Sequence, residues 1–161
     1  MLSLPDLPQG CHHPREPAYT DLRLVPATNA AERALVAAIR VAVFVHEQRI
    51  PVTAEFDLDD FQALHVLAFC HEHPVGTGRI VLSEDRARIG RFAVLPGYRR
   101  CRVGAALLRY CCDYCSARGI RSIVLHAQVY AVPFYQRFGF AVTSTVFDEE
   151  GIPHCRMERA L

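Results

Sequence analysis

Apolar positions along this chain follow two spacings, and the helical spacing predicts three helices. Asn29 can cap a helix that runs to about Val45, because apolar residues recur there every three to four positions. A longer helix is predicted over residues 102–118, and a short one over residues 131–138. Pro133 fits the short helix because its first turn has no amide partner to lose.

Runs of β-branched and aromatic residues, separated by turn residues, predict the strands. Residues 71–76 supply the turn of a hairpin, and Pro96 with Gly97 ends the strand that follows it. The order predicts a strand–helix–strand–helix core flanked by antiparallel pairs, in a mixed α/β domain. The predicted strands are residues 19–25, 64–70, 77–82, 86–95, 122–126, 141–147 and 154–160.

Composition places the chain among ordinary globular domains of one-domain length. It has 161 residues, of which 51% are hydrophobic and 22% charged, and its formal net charge is +1. This charge gives no support to a nucleic-acid partner, and no apolar run has the length of a membrane span. Without a signal-peptide pattern, a cytoplasmic location is the expectation. Residues 1–18, rich in proline, are predicted to be a loose extension before one domain over residues 19–161.

Seven cysteines raise two alternatives. Cys112 and Cys115 form a CxxC that could bind zinc or carry redox chemistry. They fall far along the predicted helix, however, and no second ligand pair has matching spacing. The odd count also argues against a disulfide framework. We expect reduced thiols that pack as small apolar groups, and we expect no metal.

An arginine-rich turn joins the strand at residues 86–95 to the helix at residues 102–118. The free amides and positive end of a helix N-terminus bind anions, and arginines add two-pronged phosphate contacts. Gly104 would let a ligand approach the backbone. The turn fits a phosphate site or a solvated basic turn, and both interpretations stay open. It matches neither of the common nucleotide-binding glycine patterns.

The stretch HAQVYAVPFYQRFGF at residues 126–140 places Tyr135 on the short helix. By itself such a tyrosine is an ordinary core residue, but its phenol could also meet an atom that gains charge in a reaction. The run with Glu55, Asp57, Asp59 and Asp60 is predicted as a loop or short helix. It could attract a cationic acceptor or simply be solvated.

Four segments in this order resemble the GCN5-related N-acetyltransferase (GNAT) superfamily: VFVHEQ at residues 43–48, the arginine turn, FYQRFGF and GIPHCRM at residues 151–157. The first and last are similar to those of a bacterial subgroup of ElaA- and YjcF-type acetyltransferases. The family usually has [QR]xxGxG/A in the turn; here Arg99 and Gly104 match, and Arg102 replaces the first glycine. The resemblance covers roughly residues 20–161.

The resemblance implies a mixed, mostly antiparallel sheet that splays between its fourth and fifth strands and holds acetyl-CoA there. The backbone of Phe92, Ala93 and Val94 would pair with the pantetheine arm, and Gln128 would lie near it. Residues of the turn would hold the pyrophosphate: Arg99, Arg100, Cys101, Arg102, Val103 and Gly104.

By the same resemblance, Tyr135 would protonate the departing CoA thiolate. The amine must be neutral to attack, so a base or a water path must take its proton. His154 in the GIPH segment and Glu47 near the end of the first helix are the two candidate bases, and neither is preferred on spacing alone. His126 ranks below them.

The function expected is an N-acetyltransferase that moves acetyl from acetyl-CoA directly to a primary amine of a small molecule or peptide, in a ternary complex. Transfer of another acyl group, or a CoA-binding module without catalysis, are the alternatives. No nucleic acid, membrane or metal is expected, and a homodimer is compatible with the resemblance.

Overall fold

The structure is a computed structural model and describes residues 21–161 of the chain. Tyr19, where the first strand was predicted to begin, and the predicted extension over residues 1–18 lie outside this range. None of the helices within it is both long and apolar enough to cross a membrane.

Within residues 21–161, eight strands form one mixed, mostly antiparallel sheet, which confirms the predicted mixed α/β class. Seven strands follow in the order β1-β2-β3-β4-β5-β8-β6, and β7 pairs with β8. Only β4 and β5 are parallel among the neighbours. The strands are β1 Leu22–Pro26, β2 Leu64–Cys70, β3 His73–Ser83, β4 Arg86–Val94, β5 Ser122–Gln128, β6 Ala141–Val142, β7 Phe147–Glu149 and β8 Ile152–Ala160.

Four α-helices and several single turns connect these strands. They are α1 Ala30–Arg40, α2 Val52–Glu55, α3 Val103–Ser116 and α4 Val132–Gln136. Short 3-10 helices cover Leu58–Phe61, Pro96–Tyr98 and Val129–Ala131. As predicted, Asn29 caps α1: its Oδ1 accepts from the Glu32 amide at 2.9 Å, and the Glu32 carboxylate accepts from the Asn29 amide.

The first helix differs from its prediction because α-helical geometry ends at Arg40. It continues as a π-helical segment, Val41–Glu47, in which the Gln48 amide bonds to the Val43 carbonyl. Three valines in this segment are β-branched and weaken α-helical geometry. The wider turn shifts Glu47 and Gln48 toward the open end of the sheet. Single π-helical turns are frequent at functional sites.

The predicted strand over residues 141–147 is also shorter in the structure. β6 ends at Val142. The Thr143 amide still donates to the Arg156 carbonyl at 2.8 Å, but the Arg156 amide donates to the Ser144 hydroxyl at 2.8 Å rather than to a backbone carbonyl. A separate strand, β7, then forms a hairpin with β8. At the other predicted hairpin β3 begins at His73 rather than Thr77, so the turn is tighter than expected.

The sheet opens between β4 and β5. Their pairing covers only three positions, from Arg86 with Ser122 to Arg88 with Val124. Further along, Arg91 adopts a left-handed φ of 51° where the register of β3 and β4 shifts, which marks a bulge that bends β4. β5 meanwhile stays paired with β8 to the level of Gln128 and His154. The result is a wedge-shaped gap in the sheet.

Side chains that alternate along the strands form two hydrophobic clusters, one on each face of the sheet. Val66 and Ala68 of β2 lie in the cluster that contains α3, whereas Leu67 and Phe69 lie in the cluster that contains α1. The helices α1 and α3 therefore cover opposite faces of the sheet near the gap, and both faces of the central strands are buried.

The acidic run at residues 55–60 is not a solvated loop, which corrects one of the two interpretations of it. Arg40 is 1% exposed and donates to Glu55 at 2.6 Å and to Asp60 at 2.6 Å. Arg79, also buried, bonds to Asp57 at 2.7 Å and to Asp60 at 2.8 Å. These arginines hold the pKa of Asp60 well below its usual range, although burial opposes them. The network connects α1 to the acidic run and to β3.

Removal of Arg40 should therefore destabilise the fold strongly. Arg40→Met keeps most of the side-chain volume but leaves the buried Glu55 carboxylate without its closest partner. We expect a loss of about 3 kcal/mol or more in the free energy of unfolding, measured by urea denaturation.

Arg121→Met is the matched control, because Arg121 pairs with Asp85 on the surface and is mostly exposed. It should cost less than about 1 kcal/mol. Equal losses in the two variants would contradict a structural role for the buried network.

Candidate active site

A cavity of about 520 Å³ occupies the gap between β4 and β5. Its walls come from the residues after the π-helical segment, the end of β4, the end of β5, α4 and the β7–β8 hairpin. Four of the predicted site residues line it: Phe92, Gln128, Tyr135 and His154. The fold thus brings residues that are far apart in sequence to one opening.

Tyr135 lies on α4 among aromatic rings. Its ring centroid is 5.1 Å from that of Phe134, 6.1 Å from Phe140 and 6.5 Å from Phe92. Burial raises the pKa of the Tyr135 phenol above its ordinary value of about 10. The phenol therefore stays protonated across the pH range of most enzymes, which is the state that a proton donor needs.

His154 is buried at the start of β8 and lines the cavity. Its Nδ1 lies 2.8 Å from the Ile152 carbonyl oxygen, and a carbonyl can only accept, so Nδ1 carries a proton. In the neutral ring the lone pair is then on Nε2, which lies 3.7 Å from a Glu149 carboxylate oxygen. This arrangement leaves Nε2 able to take a proton from a ligand in the cavity.

Glu149 and His126 complete a cluster around His154 that sequence reasoning missed or ranked low. His126 Nδ1 donates to Glu149 at 2.6 Å, and the Phe147 ring lies between the two imidazoles, 5.1 Å from His126 and 6.3 Å from His154. The sequence signal for this cluster is the pair of acidic residues just before GIPH. Their position beside β5, however, depends on the β7–β8 hairpin.

Glu47, the other candidate base, forms a two-pronged ion pair with Arg99. The two distances between guanidinium nitrogen and carboxylate oxygen are 2.7 Å and 2.6 Å. The hydrogen bonds from Arg99 lower the pKa of Glu47, which weakens it as a base. Glu47 does not line the cavity.

The arginine turn adopts an unusual backbone before α3. Arg100 and Arg102 have left-handed φ values of 63° and 62°, and Cys101 is half-buried, with its thiol 3.3 Å from the Arg99 carbonyl oxygen. Arg102 occupies the N-cap of α3 and its side chain makes no capping hydrogen bond. The first amides of α3, beginning at Val103 and Gly104, therefore have no side-chain cap, as an anion site at a helix N-terminus requires.

Arg102, which stands where the resemblance would place a glycine, has the left-handed φ that favours glycine. Glycine reaches such φ values without strain, whereas an arginine loses about 1 kcal/mol there. The turn therefore has a backbone conformation typical of glycine, although a charged residue occupies the position. Gly104 faces Phe134 and Val94, and an added Cβ would lie 3.9 Å from each.

The end of β4 presents one backbone edge to the gap. Ala93 pairs with Thr77 and Val94 with Gly76 on the β3 side, but the pairing with β5 has already ended at Arg88. The Val94 carbonyl accepts instead from Arg99 Nε at 2.9 Å. The predicted cofactor segment of Phe92, Ala93 and Val94 therefore has an edge on which an extended ligand arm can add like a strand.

Gln128 lies at the end of β5 and reaches across the gap. Its side-chain amide donates to Gln48 Oε1 at 2.9 Å. Gln48 follows the π-helical segment, so this contact joins the first helix to β5 beside the cavity. Sequence reasoning placed Gln128 in the site but did not identify Gln48 as its partner.

The described cysteines form no disulfide, and most of them are buried. Cys112 and Cys115 are free and buried in the middle and last turn of α3. Burial raises the pKa of Cys115 to about 11, so its thiol is neutral and unreactive near neutral pH. In the same part of the chain, no group of three or more metal-ligating side chains is arranged to hold an ion.

The fold is an open mixed sheet with a cleft where its parallel strand pair splays apart. The N-terminus of α3 lies beside this cleft, and Tyr135 lies at its edge. Together these features define the architecture of an acyl-CoA N-acyltransferase. The profile of the acetyltransferase (GNAT) domain family matches residues 27–161. The chain belongs to this family, and it is an enzyme of the transferase class.

Relatives and solved structures agree with this assignment. The chain is 35% identical to the protein ElaA of Escherichia coli over 127 residues, 75% of this chain and 82% of ElaA. It is 33% identical to the uncharacterized N-acetyltransferase YjcF of Bacillus subtilis over 120 residues, 74% of this chain and 86% of YjcF. The crystal structure of E. coli ElaA superposes with a TM-score of 0.76 at 29% identity, covering 86% of this chain and 97% of that one. The predicted resemblance to ElaA- and YjcF-type proteins is confirmed.

Two variants at Arg102 test the strained turn. Arg102→Gly and Arg102→Ala both remove the side chain and its contacts, but only glycine relieves the left-handed backbone. We expect the glycine variant to be about 1 kcal/mol more stable than the alanine variant in urea denaturation. Equal stability would mean that the turn is not held in this conformation in solution.

Proposed function

We propose that this enzyme transfers the acetyl group of acetyl-CoA to a primary amine of a small molecule or peptide, by direct attack in a ternary complex. The observation that carries the proposal is that Tyr135 and His154 line one cavity at the gap between β4 and β5. A neutral phenol and an imidazole with a free Nε2 are the acid and the base that this reaction needs.

Acetyl-CoA fits the features around the gap. The pantetheine arm would pair with the free edge of Phe92–Val94, next to Gln128. The pyrophosphate would lie at the N-terminus of α3, with side chains of Arg99, Arg100 and Arg102 and the backbone of residues 101–104 around it. Arg99 must exchange its contacts to Glu47 and Val94 for contacts to the ligand, or keep them and position the turn.

In the proposed reaction His154 Nε2 takes the proton of the bound ammonium group. The amine nitrogen then attacks the thioester carbonyl carbon and forms the C–N bond. When the C–S bond breaks, the sulfur leaves with the electron pair and takes the proton of Tyr135. The nitrogen loses its second proton as it becomes the amide nitrogen, and this proton returns Tyr135 to its neutral form. Glu47 stays the alternative base, but its pair with Arg99 favours His154.

The proposal is tested by acetyl-CoA binding and CoA release. Acetyl-CoA should raise the melting temperature, and CoA should be released when amines are added from a panel of amino sugars, diamines, amino acids and peptides. The chain has no lysine, so self-acetylation on lysine cannot contribute to the signal. Binding without release from any amine would favour the alternative of a CoA-binding module, and release only from a longer acyl-CoA would favour another acyl group.

The acid role predicts a specific loss in Tyr135→Phe. This change removes only the hydroxyl, so acetyl-CoA binding should persist while kcat falls by about 100-fold or more. Steady-state CoA release and calorimetry of acetyl-CoA measure the two quantities. Unchanged kcat would remove Tyr135 from the mechanism.

The base role predicts that His154→Gln lowers kcat by about 100-fold and flattens the rise of rate with pH in the acidic range. Glu47→Gln is the comparison variant. It should mainly change the affinity for acetyl-CoA, because it breaks the pair with Arg99, and should keep kcat and the pH dependence. The opposite assignment of the two effects would make Glu47 the base.

We also propose that residues 19–161 form the single acyltransferase domain, with residues 1–18 as an extension. Size-exclusion chromatography of the full chain would test the homodimer that the resemblance allows.

A further inference from the structure

The two sides of the cavity differ in how their charges are paired. On the β4 side each of the three arginines that line the cavity faces a carboxylate of the acidic run. Arg91 lies 3.3 Å from Glu55, and Arg88 forms an ion pair with Asp59. Arg79 bonds to two aspartates of the same run. This side therefore offers little free charge to a ligand.

The β7–β8 hairpin on the other side is acidic, and its basic partners among the described residues are two histidines rather than arginines. Asp148, Glu149 and Glu150 all line the cavity. Within residues 21–161 none of them has an arginine at ion-pair distance. Glu149 contacts the two histidines, and Asp148 accepts only from the Gly151 amide at 3.0 Å. Three negative charges at one rim leave this end of the cavity attractive to cations.

A second observation shows where the reacting nitrogen belongs. The His154 side chain is nine-tenths buried, lines the same cavity, and its Nε2 makes no hydrogen bond within the described part of the chain. An amine that gives its proton to Nε2 lies beside Glu149. The rest of such an acceptor can then extend along the hairpin toward Asp148 and Glu150, both of which are exposed and line the cavity.

We propose that the acceptor is a diamine- or polyamine-like molecule, whose second amine stays protonated and is held by Asp148 and Glu150. This inference rests on the proposed function, since it names the substrate class of that site. One amine is deprotonated at His154 and acetylated, while the other remains an ammonium ion against the carboxylates. An acceptor that carries a carboxylate near its amine is repelled by the same rim.

Binding can be tested without turnover. We would measure 1,4-diaminobutane and n-butylamine by calorimetry on protein saturated with CoA, in wild type and in Asp148→Asn/Glu150→Gln. Glu149 is left intact because it contacts His154. The diamine should bind about tenfold or more tightly than the monoamine in wild type, and the difference should disappear in the double variant.

Asp113→Asn is the control variant, since Asp113 is exposed on α3 outside the cavity wall. It should keep the preference for the diamine. Melting temperatures with CoA confirm that each variant is folded. Equal affinities for the two amines in wild type, no binding of either amine, or a preference that survives in the double variant would each overturn the inference.

Initial rates with the same two amines separate this inference from the proposed function. Preferential binding of the diamine without CoA release would support the cationic site and refute the acetyltransferase proposal for such amines. Release of CoA with equal kcat/KM for both amines would support acetyl transfer and refute the diamine site.

Discussion

The short pairing between β4 and β5 is the constraint on which the site depends. Parallel strands usually continue side by side, because each residue gains ladder hydrogen bonds. Here pairing stops after three positions, at Arg88 and Val124, and the bulge at Arg91 bends β4 away while β8 holds β5 in place. The lost hydrogen bonds leave one edge of β4 free and open a cavity between the strands. All of the proposed chemistry lies along that opening.

Buried charge supports the bent strand. Arg91, at the bulge, donates to the Glu55 carbonyl at 3.1 Å, and Arg40 holds the Glu55 carboxylate from α1. The network thus ties α1, the acidic run and the bulge together behind the cavity. Because its arginines are already paired, the same network removes free positive charge from one side of the site. The acidic β7–β8 hairpin then determines the charge that an acceptor meets.

Much of this structure could be predicted from the sequence, and the failures have physical reasons. The apolar run of β2 and the cap at Asn29 are local signals, and both predicted their elements. The π-helical segment and the break in the strand after Val142 depend on contacts with other elements, which local periodicity does not record. The pairs Glu47–Arg99 and Gln48–Gln128 join residues 52 and 80 positions apart, and only the fold brings them together. The motif around Tyr135 and His154 was identified by resemblance, whereas the partnership of Glu149 with His126 required the hairpin geometry.

The account as a whole depends on acetyl-CoA entering the gap between β4 and β5. Hydrogen exchange measured by mass spectrometry, with and without acetyl-CoA, tests this most directly. Bound acetyl-CoA should slow exchange for amides in residues 92–94 and 103–105, at the free edge of β4 and the start of α3. Protection confined to another region, such as the groove between α1 and the 3-10 helix Leu58–Phe61, would contradict it.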